Sequence, residues 1–314
     1  MVSESQYSSL VKGEINYWNK QMISMINSGI PVTIDYSHPR LFNSISDKKK
    51  FYFDHDIYST IYDRKDLINS SIVRNGRALD LVCGAGWLAL ELSRKGMQVE
   101  AHELSPFLIN VGKLYYKYRI KIEKLNIKHV ESDLNKVVLS KNTYDSVVAC
   151  AGLHHIEEVD RLFSQVKYAL KEDGKFIIRE HLGRSLSSSI LNFLFLPSLF
   201  FIGGINSRVI FSLGKSLVKE IFTKIYTLGE QEEWGSAFED VGAEKIMPAS
   251  KKYFKIDSEK YCFTIFRILT AIAEGKMRKD KKISWIKKFI SIDKKLNELG
   301  FSGECVDLKL SKKK

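Results

Sequence analysis

The sequence predicts an α/β protein with a doubly wound, mostly parallel sheet, a helical N-terminal leader and helical cap insertions. Three observations predict it. Residues 77–181 alternate short apolar runs with amphipathic stretches, the rhythm of a parallel sheet covered by helices on both faces. A tight turn, Gly84-Ala85-Gly86, joins the first apolar run to the first amphipathic stretch. Acidic residues then stand at the ends of successive runs: Asp80, Glu103 and Asp133.

Taken in order, residues 1–72 read as a helical leader rich in aromatics, among them Tyr17, Trp18, Tyr36, Phe51, Tyr52, Phe53, Tyr58 and Tyr62. A core over 73–182 follows. Its strands are expected at Arg77–Cys83, Gln98–His102, Lys128–Glu131, Tyr144–Cys150 and Lys175–Glu180, and its helices at Trp87–Lys95, Pro106–Arg119 and Val159–Leu170. Residues 183–228 form an apolar helical cap insertion, and 229–256 return to the core through a helix at Glu232–Val241 and strand material at Ala243–Met247 and Tyr253–Ile256. Helices fill 257–300, at Lys260–Gly275 and Lys281–Leu299, and 301–314 hold a final edge strand, Glu304–Leu310, and a basic tail.

Composition narrows the class. The chain has 314 residues, 44% hydrophobic and 27% charged, as in an ordinary globular protein. Net charge is +12, with lysines crowded into 276–295 and 312–314. This basic face reads as a solvated helix rather than a nucleic-acid groove, because no Arg-rich or aromatic-interleaved stretch accompanies it. The four cysteines, at 83, 150, 262 and 305, have neither CxxC nor zinc spacing, and no metal site is expected. They fit a reducing cytoplasm, and the polar N-terminus does not read as a signal peptide. The apolar segment Ile190–Ile202 falls short of the roughly 20 residues of a spanning helix and is interrupted by Pro197, so it reads as a buried or substrate-facing helix pair; a monotopic contact with a membrane surface stays open.

The run Leu79-Asp80-Leu81-Val82-Cys83-Gly84-Ala85-Gly86 is a strand entering a tight turn before a helix, where glycines let a ligand approach the backbone. Gly84-x-Gly86-x-x-Ala89 also satisfies the dinucleotide pattern. Asp80 tilts the choice, since a carboxylate there favours an ammonium group and repels a pyrophosphate. Glu103 ends the second strand, where it can take both ribose hydroxyls in either kind of site, and Ser105-Pro106 is a helix start. Asp133, followed by apolar Leu134, can accept from an adenine amino group.

Together these residues resemble the class I S-adenosylmethionine-dependent methyltransferases of the small-molecule branch, over 77–181 and more faintly over 232–256 and 304–311. The fold implied is the Rossmann-like methyltransferase fold. The resemblance includes Tyr144-Asp145 through His154-His155-Ile156 and the turn and strand Leu170–Glu180; it departs at Val82, where the family usually has glycine. It implies that S-adenosylmethionine is the cofactor. Asp80, Cys83, Gly84, Ala85 and Gly86 would hold its aminocarboxypropyl end, Glu103, Leu104 and Ser105 the ribose, Asp133 and Leu134 the adenine, and Cys150 and Ala151 would line the sulfonium.

The methyl carbon of a sulfonium is already electrophilic, so the chain's task is to place a nucleophile in line and keep water out. A base helps when the acceptor is a hydroxyl or an acidic carbon. Its candidates are His181, Glu180 and His155, with His154 beside them. Phe193, Phe195, Phe200 and Phe201 are expected to form an apolar lid suited to a hydrophobic or amphipathic small acceptor, methylated at oxygen. The alternatives are a nucleic-acid methyltransferase using the basic C-terminal helix and an NAD(P)-binding protein.

Overall fold

The computed structural model describes residues 3–27, 57, 60–61, 64–183, 185–226, 238 and 243–313, apart from the side chains at 118, 224 and 226. The expected helix Glu232–Val241, except Phe238, and the aromatics at 36, 51–53, 58 and 62 lie outside the described residues. The chain runs α1 (Glu4–Asn27), α2 (Lys65–Ser71), β1 (Arg77–Leu81), α3 (Trp87–Arg94), β2 (Gln98–Glu103), α4 (Pro106–Glu123), β3 (Ile127–Glu131) and β4 (Tyr144–Cys150). It continues through α5 (Val159–Ala169), β5 (Leu170–His181), α6 (Leu186–Phe195), α7 (Ser198–Ile202), α8 (Ser207–Tyr226), α9 (Ala243–Tyr253), β6 (Phe254–Cys262), α10 (Phe266–Glu274), α11 (Lys279–Glu298) and β7 (Cys305–Lys312).

The seven strands lie in the order β3-β2-β1-β4-β5-β7-β6. Strands β1 to β5 are mutually parallel, and β7 is antiparallel to both β5 and β6. Strand order reverses between β1 and β4, and on such sheets the ligand crevice opens beyond the carboxyl ends at that point. Alternation along β1 explains the two layers. Leu79 and Leu81 join the core beneath α5 and α9, whereas Ala78 packs with Leu88, Ala89 and Leu92 of α3 on the opposite face. Asp80 shares that second face, so its carboxyl is trapped at the end of a fully covered strand.

Three local expectations are corrected. Ala243–Met247 is helix, the first half of α9; Ala243, Ile246, Ala249 and Ser250 turn inward at helical rather than alternating spacing. Glu304–Leu310 does lie in a strand, but in an interior one, because β6 adds outside it and becomes the edge. The helix expected from Lys260 starts only at Phe266, since Lys260, Tyr261 and Cys262 complete β6 against Asp307, Val306 and Cys305.

The cap insertion and the C-terminal helices share a second core of Leu191, Leu199, Ile202, Ile210, Ile268, Leu269, Ile272, Ile286 and Phe289. Two buried polar side chains knit it. Asn192 Oδ1 accepts from the backbone N–H groups of Arg267 and Ile268 at 3.1 and 3.3 Å, capping α10 from a neighbouring helix, while its Nδ2 donates to the carbonyls of Ser188 and Thr264 at 2.8 and 2.9 Å. Asp293 of α11 accepts from the N–H groups of Phe263 and Ile265, both at 2.9 Å. Among the described residues no helix is long and apolar enough to cross a membrane; Pro197 divides the apolar stretch into α6 and α7.

Replacing Asn192 by the similarly shaped Leu takes the acceptor from Arg267 N–H at the start of α10 and one of two donors from the Thr264 carbonyl, which keeps Ser188 Oγ, in a dry core. We expect a loss of about 3 kcal/mol in urea unfolding. A loss below about 0.5 kcal/mol would show that the cap needs no such tie.

Candidate cofactor and active site

The corner after β1 turns through three left-handed residues, Val82 (φ 52°), Gly84 (φ 56°) and Gly86 (φ 79°). At Gly84 a Cβ would meet nothing within 4 Å, so its backbone opens onto free space. Helix α4 supports the turn from the other side. Tyr116 Oη donates to the Ala85 carbonyl at 2.5 Å, and at Gly112 a Cβ would lie 2.8 Å from that same oxygen, which is why the helix can approach so closely. A β-branched residue at positive φ is strained, and Val82 stands where the resembling family carries glycine. The compensation is across the crevice: a Cβ at Gly152 would sit 2.7 Å from Val82 Cβ and Cγ2. The valine side chain occupies the space that Gly152 leaves.

The acids predicted from sequence gather around this corner. Asp80 is 1% exposed; a hydrogen bond from the Ala89 backbone reaches its carboxyl, but Oδ2 has no partner among the described residues. Burial, reinforced by the charge of Glu103, pushes the Asp80 carboxyl up to about 8. Glu103 is buried too, and burial raises its pKa although Oε2 accepts from Gly84 N–H and Oε1 from Ser105 N–H, both at 2.9 Å. Ser105 Oγ caps α4 through Leu108 N–H, as the Ser-Pro start implies. The loop after β3 is tied in by the bond from Ser132 N–H to the Glu103 carbonyl, and Asp133 follows with Leu134 buried beside it. Cys83 and Cys150 are thiols at the ends of β1 and β4; burial raises both, Cys150 to about 11. Ala151, directly after β4, is exposed at φ 55°. In a protein of net charge +12 this pocket is acidic and favours a cationic ligand.

Helix α1 lies over these loops, a role that composition alone did not assign. Tyr7 Oη donates to Asp133 Oδ2 at 2.7 Å, and burial together with that acid raises the phenol's pKa. Ser105 Oγ donates to Asn19 Oδ1 at 2.7 Å, and Met22 packs on Ala85 and Leu108. Glu14, 4% exposed, accepts from Trp18 Nε1 at 2.7 Å and from Phe238 N–H at 3.1 Å, and lies 3.4 Å from His155 Nδ1. The clue in the sequence was the spacing Tyr7, Val11, Glu14, Trp18 and Met22, which puts a carboxylate on the helix's inward stripe.

The base candidates separate by environment. Glu180 is fully buried. Its Oε2 accepts from Gly152 and Leu153 N–H at 2.9 and 2.6 Å, and its Oε1 meets His154 Nδ1 at 2.6 Å and His181 N–H at 2.8 Å. A carboxylate so engaged braces the loop after β4 and does not face an acceptor, which corrects its place among the candidate bases. His155 is kept neutral, its pKa lowered to about 3 by burial and then by His154. Of the base candidates His181 is the most exposed: its side chain is 38% accessible at the end of β5, 3.8 Å from Glu304 Oε2, with Nδ1 accepting from Gly183 N–H at 3.2 Å. The phenylalanine lid is also corrected. Phe200 and Phe201 point to solvent and Phe195 packs against Phe289, while α1 supplies the cover.

Residues 79–178 match the model of a methyltransferase domain, and they span β1 through β5 together with the acids at 80, 103 and 133. The chain carries a class I S-adenosylmethionine-dependent methyltransferase domain. Over all its length the fold is similar to a geranyl diphosphate C-methyltransferase from Streptomyces coelicolor A3(2), with a TM-score of 0.54 at 12% identity, covering 97% of this chain and 98% of that one. Among curated proteins, a ubiquinone/menaquinone biosynthesis C-methyltransferase from Zymomonas mobilis is 22% identical over 44% of this chain and 64% of its own length. A mitochondrial arginine-hydroxylase from Homo sapiens is 30% identical over 40% of this chain and 34% of its own. The chain thus spans less than two thirds of the curated relatives it matches. The family model ends at residue 178, so the cap and α11 fall outside the residues it matches.

The Val82–Gly152 fit is testable by a double-mutant cycle. Gly152→Ala should cost about 2 kcal/mol or more in the parent chain through overpacking, and at least about 1 kcal/mol less when Val82 is first changed to Gly. Additive losses in chemical denaturation would mean that the two positions do not share one space.

Proposed function

We propose that this protein transfers the methyl group of S-adenosylmethionine to a small hydrophobic or amphipathic acceptor. One observation carries the reading: a fully buried Asp80 whose Oδ2 lacks a partner, beneath an open glycine backbone and beside a second buried acid. Such a pocket suits a ligand that brings an ammonium to the acid and a carboxylate to the loop's N–H groups. A pyrophosphate brings no ammonium to Asp80 and sets its own charge beside Glu103, which argues against a dinucleotide.

The residues fit the cofactor piece by piece. Gly84 and Gly86 let the aminocarboxypropyl group lie on the loop, with Asp80 as its cationic partner. Glu103 has lone pairs left for ribose hydroxyls after its two backbone bonds, since a carboxylate offers about four acceptor positions. Asp133 and Leu134 would flank the adenine, and Cys150 and Ala151 the reactive end. The bound cofactor supplies a methyl group on a positively charged sulfur. Helix α1 covers the crevice against water, and Glu180 fixes the loop that carries His154 and His155. For an acceptor oxygen, our reading, His181 would take the proton on Nδ1 in exchange for its bond from Gly183 N–H, while neutral His155 beside Glu14 would shape the acceptor side. A carbon acceptor is the second reading, favoured by the name of the Zymomonas mobilis relative.

The test is the pH dependence of S-adenosylhomocysteine binding by isothermal titration. With Asp80 at about 8, the unliganded protein holds it mostly protonated at neutral pH, and an ammonium ligand draws it back to the carboxylate, releasing a proton. Affinity should therefore climb as pH rises toward 8, by up to about tenfold per pH unit, and level off above. Asp80→Asn should abolish the slope and weaken binding more than about tenfold at pH 8.5. The sign on stability is opposite. A carboxyl raised from its usual 3.8 favours the fold below that value and loses its contribution as pH rises through 8, so the unliganded variant should lose less stability over this range than the parent. Thermal stabilisation by NADH and none by S-adenosylhomocysteine would overturn the reading.

A further inference from the structure

Two thiols face each other on the antiparallel edge of the sheet. Cys262, the last residue of β6, stands directly opposite Cys305, the first residue of β7. Opposed residues of an antiparallel pair hold their Cα atoms about 4.5–5.5 Å apart, within the span that a disulfide bridges. Both side chains leave the same face of the sheet, both are half-buried free thiols, and the Cys305 thiol is hydrogen-bonded to Cys262. That bond, with burial and then the charge of Cys262 and of Glu304, holds the Cys305 thiol well above its ordinary pKa. The other two cysteines stand differently: Cys150 is opposite Arg179 on β5, and Cys83 is buried beyond the end of β1.

The backbone holds this pair in register. At Gly303 a Cβ would overlap the Cys262 carbonyl, so the approach to β7 lies against the end of β6. Beyond Cys262 the chain turns away through Phe263 at φ 67°, and the Phe263 N–H is fixed at 2.9 Å by Asp293 of α11. A slip of either strand end would break both arrangements. On its other side Cys305 is opposite His181, so His181, Cys305 and Cys262 form one row across β5, β7 and β6. A bond within this row would tie the edge strand to the strand beside His181 and close the loop that holds α10 and α11.

We propose that Cys262 and Cys305 are a redox couple, which a low-molecular-weight disulfide of the glutathione class converts into a cross-strand bond locking β6 to β7. Cys262, as the thiolate, attacks one sulfur of the oxidant and expels its other half as a thiolate. Cys305 then loses its proton, attacks the Cys262 sulfur of the mixed disulfide and expels the second half. The protein gives up two electrons and two protons, and the oxidant leaves as two thiols. Where thiols are otherwise kept reduced, such a pair forms its bond when the oxidant rises and reopens when it falls. The couple rests on the β6–β7 edge alone and stands whether or not the reading of the cofactor crevice holds.

Oxidation of the folded full chain with glutathione disulfide tests it. Thiols titrated after unfolding the product should fall from four to about two, and excess dithiothreitol should restore all four. Tryptic mapping without reductant should join residues 261–267 to 296–309, at least about tenfold above any other cysteine pairing. The oxidised chain should melt about 3 °C or more above the reduced one, a difference that Cys262→Ser and Cys305→Ser each abolish. The mapping uses the parent chain, so it decides the matter even where a serine variant folds poorly. Four thiols remaining after oxidation, pairing that involves Cys83 or Cys150, glutathione left attached to a single cysteine, or an unchanged melting temperature of the oxidised parent would overturn the proposal.

Discussion

Asp80 sits where a parallel sheet covered on both faces gives a carboxyl no water. Its neighbours Ala78 and Leu79 are fully buried, and the only other group of like strength nearby is another acid, Glu103. A charge in such a place is tolerable only with a countercharge or with its proton kept on. Among the described residues none supplies a cation to it. The rest of the corner follows from that vacancy in the electrostatics: left-handed backbone that opens the loop, an α4 that grips it from behind, and a second acid whose lone pairs hold Gly84 and Ser105 in place.

Internal acids recur as structural ties throughout the molecule. Glu103 joins β2 to the glycine loop, Glu180 joins β5 to the loop after β4, and Asp293 joins α11 to the segment between β6 and α10. Each accepts backbone N–H groups that no ladder or helix serves, so a turn lacking regular structure still has its donors satisfied. The same chemistry separates ties from reactive groups. Glu180, with four donors around it, has little left to offer a substrate, whereas Asp80 has an oxygen to spare.

The parallel half of the fold was legible in the sequence because short apolar runs such as those of β1 and β4 alternate with amphipathic stretches and are punctuated by glycine and acid. Tyr144–Cys150 and the helix start at Ser105-Pro106 could be read almost to the residue. The antiparallel edge was not legible in the same way. Its strand β6 alternates weakly, and nothing local to Cys305–Lys312 reveals that another strand will cover it. Ala243–Met247 was expected as strand material, yet it opens a helix that carries Pro248 inside it and packs its inward face on the core. Asp80, Glu103 and Asp133 could be named from spacing because they follow strands. For Glu14 the helical spacing signals an inward position but not its partners, since His155 and Phe238 lie far along the chain and only the fold brings them together. The phenylalanines of the cap misled for a related reason: an apolar residue signals burial or a surface awaiting cover, and sequence does not distinguish the two.

Helix α1 has a temporal consequence. It is fastened to three separate loops by Tyr7–Asp133, Asn19–Ser105 and Glu14 with His155, and it closes over the crevice from the very start of the chain. On the proposed reading, a nucleoside held beneath it would leave as these ties yield, and one helix carrying all of them would make the lifting of α1 the gate through which spent cofactor passes.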